Sequence, residues 1–96
     1  MKTRKEYDSI GNINVPNDKY WGASTQRSKK FFNIGKILVP HSIIKSIAII
    51  KRSAAIVHQK EKSIPVKVAR AIIKASNEVI AGKLNDNFPL KVWQTG

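Results

Sequence analysis

Residues 41–60 read HSIIKSIAIIKRSAAIVHQK. Ile43, Ile47, Ile50, Ala54 and Val57 recur at steps of four, three, four and three, which is the period of one face of an α-helix. Ile44, Ala48 and Ala55 form a second stripe beside the first, and Ile49 and Ile56 widen the apolar arc. Lys45, Lys51 and Arg52 take what is left. A helix covered on one side only shows a narrower stripe, so this pattern predicts a helix from about His41 to about Lys60 with neighbours on several sides, as in a bundle. The arc is too wide and too rich in Ile for a clean helix of the membrane interface.

Downstream, Glu61 to Ile64 reads as a turn. Pro65 sits where a helix can begin, because its missing N–H would have no partner there. A second helix is predicted to about Ala81, with Val66, Ala69, Ile72, Ile73, Val79 and Ile80 on its buried face and Gly82 as its stop. So short a turn makes the two helices antiparallel neighbours. Leu84 to Gly96 reads as irregular. Upstream, Gly35 and Pro40 mark Asn33 to Pro40 as a linker, and Gly22 to Phe32 suits a short helix. Tyr20, Trp21, Phe31 and Phe32 around it are read as packing anchors rather than a base-stacking platform. Tyr7 to Val15 alternates around an Ile10–Gly11–Asn12 turn, which fits a short β-hairpin or extended arm ended by Pro16 and Asn17. Such an arm must lie on something else to be stable.

The composition excludes more than it assigns. With no cysteine among 96 residues, disulfides, zinc–thiolate sites and thiol nucleophiles are ruled out. His41 and His58 fall at opposite ends of one predicted helix, too far apart to share a proton or a metal. The six carboxylates, Glu6, Asp8, Asp18, Glu61, Glu78 and Asp86, are scattered. No Gly-rich phosphate loop and no nucleophile motif is visible. Neither a secretory signal nor an apolar run of membrane-spanning length appears, which makes the cytoplasm the simplest location. The net charge of +12 would suit an anionic partner such as nucleic acid, yet no binding motif stands behind it. A lysine-rich solvated surface, balanced by other parts of a larger protein, is the better explanation.

Two stretches carry more information. Tyr20-Trp21-Gly22-Ala23-Ser24-Thr25-Gln26-Arg27-Ser28 lies near the start of the chain, and Asp86-Asn87-Phe88-Pro89-Leu90-Lys91-Val92-Trp93-Gln94-Thr95-Gly96 closes it. Both resemble the N-terminal region of class II fumarases. The family's arm, D-x-x-G-x-x-x-V-P-x-D-x-x-W-G-A-x-T-x-R-S, is met in register by Asp8, Gly11, Val15, Pro16, Asp18, Trp21, Gly22, Ala23, Thr25, Arg27 and Ser28. Glu78-Val79-Ile80-Ala81-Gly82 is similar as well. Ile64-Pro65 and Ala71-Ile72-Ile73 resemble aspartases, the runner-up, but Trp21-Gly22-Ala23 and Trp93 to Gly96 look more like fumarase. A fragment of an aspartase-type ammonia lyase and a small basic nucleic-acid-binding protein stay as the alternative readings.

The resemblance implies a mainly α fold: a partial N-terminal domain spanning residues 1–96, with the hairpin or arm and two antiparallel helices but without the central helical bundle. It also implies a homotetramer that hydrates fumarate reversibly to L-malate with no metal or organic cofactor, and no nucleic-acid or membrane partner. Each active site would draw on three subunits. The family's catalytic Ser lies in a Gly-Ser-Ser-x-Met-Pro-x-Lys-x-Asn loop and its assisting His in another segment. Neither is found here, so no catalytic residue is assigned, neither His41 nor His58 inherits that role, and the chain alone is expected to be inactive. Thr95 and Gly96 would lead into a Ser-Gly-Thr substrate-binding turn. Arg27 would face the anionic substrate or pair with a neighbouring chain segment.

Overall fold

The computed structural model describes residues 2–93, which form two compact units. One contains the chain up to Val39 together with the stretch from Asp86; the other is Pro40–Asn85.

In the first unit, β1 (Thr3–Asp8) and β2 (Gly11–Pro16) make an antiparallel hairpin in which Tyr7 faces Asn12 and Asp8 faces Gly11. Two residues, Ser9 and Ile10, turn the chain. The arm therefore begins earlier than the expected Tyr7, and its turn sits just before the expected Ile10–Gly11–Asn12. Two polar effects account for this. The Asp8 carboxylate accepts the Ile10 and Gly11 amides at 3.0 and 3.2 Å, an Asx-type closure of the turn. In β1, the residues that alternate inward are Arg4, Glu6 and Asp8, a period written in charged side chains that a hydrophobic pattern does not register.

Short helix α1 (Ala23–Phe31) lies on the hairpin. Val15 is fully buried, and Trp21 and Ala23 are nearly so. Arg4 clamps the assembly, donating from Nη1 to the Pro16 carbonyl and from Nη2 to the Trp21 carbonyl, both at 2.8 Å. Only part of the expected aromatic anchoring is found: Trp21 is buried, whereas Tyr20 and Phe31 are 79% and 62% exposed. Trp21 also donates its indole N–H to Gln26 and lies under the Lys29 ammonium, 5.1 Å from the ring centre.

The expected linker and the expected irregular end both contain strand. β3 (Ile34–Leu38) pairs antiparallel with β4 (Lys91–Trp93). The partners lie more than fifty residues apart in sequence, so neither strand shows itself in a local window. A 3-10 turn, Asn85–Asn87, precedes β4, and the Asn87 side chain accepts the Tyr20 backbone N–H at 2.8 Å.

The second unit is the predicted helix pair, α2 (His41–Lys60) and α3 (Val66–Ile80). Pro65 caps α3 in extended conformation, and Ala81 ends it. Gly82 follows at φ +82, with its N–H on the Val79 carbonyl and that of Lys83 on the Glu78 carbonyl. This is the glycine stop the pattern predicted. The seam is made of small residues: Ala48 and Ala55 on α2, Ala69 and Ser76 on α3. Arg52 crosses it to the Asn77 amide oxygen at 2.8 Å. Of the two stripes expected on α2, the one containing Ile44, Ala48 and Ala55 supplies the seam, and Ala69 of the expected α3 face meets it. Ile43, Ile47, Ile50 and Val57 face solvent within this chain, Ile50 at 66% exposure, and Val66 and Ile72 of the anticipated buried face of α3 are also exposed. Small side chains let the backbones approach and leave the long ones on the outer faces. Among the described residues no helix is long and apolar enough to cross a membrane.

Candidate functional site

Arg27 projects from α1 onto the hairpin turn. Its Nε donates to Asp8 Oδ2 at 2.9 Å and its Nη2 to Asp8 Oδ1 at 3.0 Å, the paired fork that guanidinium and carboxylate form best. Nη2 also donates to the Gly11 carbonyl at 3.2 Å. Both side chains are largely covered. The hydrogen bonds from Arg27 hold the Asp8 carboxyl below its ordinary value, the Ile10 and Gly11 amides act in the same direction, and desolvation opposes them. Of the two roles open to Arg27, pairing with a neighbouring segment is the one this geometry displays.

Thr95 and Gly96 lie outside the described residues. What the structure does give is the strand that leads to them. Trp93 ends β4 opposite Ile34, its ring beside Gly35. The Lys91 ammonium donates to the Asn33 amide oxygen. A cavity of about 280 Å³ lies beside this strand, lined by Ser28, Lys29, Phe32, Asn33, Pro89, Leu90 and Lys91. The bonding roles of Arg4, Asn33 and Asn87 escaped the reading of the sequence, and Gly35 was legible only as a breaker in a linker. Arg4 could have been suspected from its alternation with Glu6 and Asp8; the two asparagines carry no local signal.

His41 opens α2 and His58 stands near its far end, so the structure does not bring them together. Among the described residues, no group of three or more His, Asp and Glu side chains could hold a metal ion. The described part of the chain thus presents a braced scaffold ending in a positioned strand.

Comparison with known proteins gives this scaffold its context. A protein-family model described as "Lyase" matches residues 11–96. The class II fumarate hydratase of Bacillus cereus is 52% identical over 96 residues, covering all of this chain and 21% of that protein. The human mitochondrial fumarate hydratase is 53% identical over 95 residues, covering 97% of this chain and 18% of that protein. Among solved structures, the class II fumarase of Schistosoma mansoni superimposes with a TM-score of 0.91 at 41% identity, covering 97% of this chain and 20% of that one. The chain therefore spans about a fifth of the length of the relatives it matches.

Proposed function

The chain belongs to this lyase family, and from that premise we propose that it forms the N-terminal part of a class II fumarate hydratase, an enzyme that reversibly adds water to fumarate to give L-malate. The observation that carries the reading is the match over all or nearly all of the chain to proteins of that name, at about half identity. The fumarase-like arm and the Trp93 to Gly96 stretch agree with it.

On this reading the chain contributes scaffold and the rim of a substrate site. Abstraction of a proton beside a carboxylate builds an enolate-like intermediate, which needs several preorganised donors and cations around one centre. The proton-abstracting Ser loop and the assisting His segment of the resembled family are not among these 96 residues, so the chain by itself is expected not to turn over fumarate. Thr95 and Gly96 lead into the turn that binds substrate. Arg27 acts through Asp8, holding the hairpin on α1. The working form is a homotetramer in the cytoplasm, and its partners are its own copies and its small dicarboxylate substrate rather than nucleic acid or membrane. The spaced motifs support this, whereas the charge alone supports nucleic acid.

A segment exchange tests the reading. Residues 1–96 replace the matching segment of the Bacillus cereus enzyme and, separately, of an aspartase. Fumarate hydration is expected to survive in the first hybrid, while ammonia release is lost in the second. A folded first hybrid without activity beside an active second one would overturn the assignment.

A further inference from the structure

Two segments distant in sequence enclose the cavity of about 280 Å³. Lys29 near the end of α1, with Phe32 and Asn33 just after it, forms one wall, and Pro89, Leu90 and Lys91 form the other. The second wall is held in place by its backbone and by its neighbour Asn87. The Leu90 carbonyl accepts the Val39 N–H at 3.1 Å, and the Asn87 side chain accepts the Tyr20 N–H at 2.8 Å. All these residues belong to the first unit.

Lys29 and Lys91 bring two cationic side chains to one cavity, and no carboxylate lines it. The ion pairs of the described residues lie elsewhere, between Arg4 and Glu6 and between Arg27 and Asp8. The contacts of the two lysines are with neutral groups: Lys29 lies over the Trp21 ring, and Lys91 donates to the Asn33 amide oxygen. An ammonium carries three donors, so neither contact exhausts it, and Asn33 adds its own amide N–H groups. A concave site walled by one sign of charge concentrates ions of the other. The remaining lining, Phe32, Pro89 and Leu90, is apolar and half-buried. An inorganic anion gains nothing from such walls, whereas a hydrocarbon body does. A few polar groups set in an apolar hollow is the make-up of a small-molecule site.

We propose that this cavity binds a small organic carboxylate, its head group on Lys29, Lys91 and Asn33 and its apolar body against Phe32, Pro89 and Leu90. Carboxylate on ammonium makes the charge-assisted bonds that the neutral contacts lack. No histidine or carboxylate lines the cavity, so the ligand is held rather than converted. Once bound, it ties the end of α1 to the approach of β4. The inference stands apart from the fumarate hydratase reading, which assigns this cavity no part.

The probe is 4-fluorobenzoate, followed through its own fluorine resonance at fixed ionic strength as the chain is titrated in. Saturable broadening is expected, and inorganic phosphate, which has charge but no apolar body, should displace it only at about tenfold higher concentration or not at all. Lys29→Met and Lys91→Met, at unchanged helix content, should each weaken binding about tenfold, the loss of one charge-assisted bond. Lys30→Met removes the same charge from the same turn of α1 without touching the cavity, and should stay within about twofold. In the Bacillus cereus hybrid the probe should bind more tightly than in the same hybrid carrying Lys29→Met and Lys91→Met; binding elsewhere in the enzyme is common to both and cancels. Equal losses in Lys30→Met and Lys91→Met, or displacement by phosphate at equal concentration, would mean a diffuse positive surface and overturn the proposal. Binding by the chain with no difference between the two hybrids would mean that the rest of the enzyme fills the cavity, and overturns it as well. None of these readouts uses turnover, so their failure is distinct from a failure of the hydration assay.

Discussion

Arg27 and Asp8 show how far single residues can be read. Both positions stand out in the sequence because they fall in a spaced motif, but a motif does not say that the two meet across nineteen residues of chain. The pair makes a prediction with a definite sign. The Asp8 carboxyl titrates below its ordinary 3.8 when folded. Its contribution to stability is therefore complete above that value and is lost as the pH falls through the lower, folded value. Melting temperature measured down a pH series should drop in the acid range, and Asp8→Asn should flatten that part of the profile while lowering stability at neutral pH. Lys62 offers a second case. It sits at φ +58 in the turn after α2, where Ser63 returns its N–H to the His58 carbonyl, a helix stop that glycine usually fills. Lys62→Gly should stabilise the helix pair by about 1 kcal/mol, read by denaturant titration. The sequence marked this stretch as a turn, but the sign of φ at one lysine depends on how the helix ends and was not legible.

At the scale of elements, α2 and α3 were legible because their signals are local: a period of 3.6, a proline at one end and a glycine at the other. Their packing was legible only in part: the Ile44, Ala48 and Ala55 stripe was read, but not that it, rather than the larger one, would form the seam. The rows of Ile that announce α2 are the residues left facing outward, and alanines form the seam. A periodic stripe says that a face is covered by something without saying by what. Replacing Ala55, 3% exposed, by Leu should cost about 1–3 kcal/mol through overpacking, measurable as a shift in the denaturant midpoint. β3 and β4 were missed because each is short and partnered only across the sequence, and the bulge at Gly35 breaks the alternation that would betray β3. The Tyr7–Val15 hairpin was seen because Gly and Asn mark its turn, though Asp8 decides where the turn falls.

For the molecule as a whole, the chain is two small units, one braced by arginine clamps around Val15 and the other held by a thin alanine seam. On the proposed reading the outer Ile faces are covered by the remainder of the enzyme. Left uncovered, apolar surface of this kind drives association. Sedimentation of the isolated chain should show self-association that disappears when Ile47 and Ile50 are both replaced by Lys; a monodisperse monomer from the unsubstituted chain would contradict this. The family was legible because its motif residues are spaced along nearly the whole chain, whereas the chemistry was not, because the reactive groups of the resembled family belong to segments not found in these 96 residues. The most direct test is the rate of fumarate hydration by the purified chain with no other protein present. The account predicts no turnover above the uncatalysed rate, and sustained conversion of fumarate to malate would contradict it.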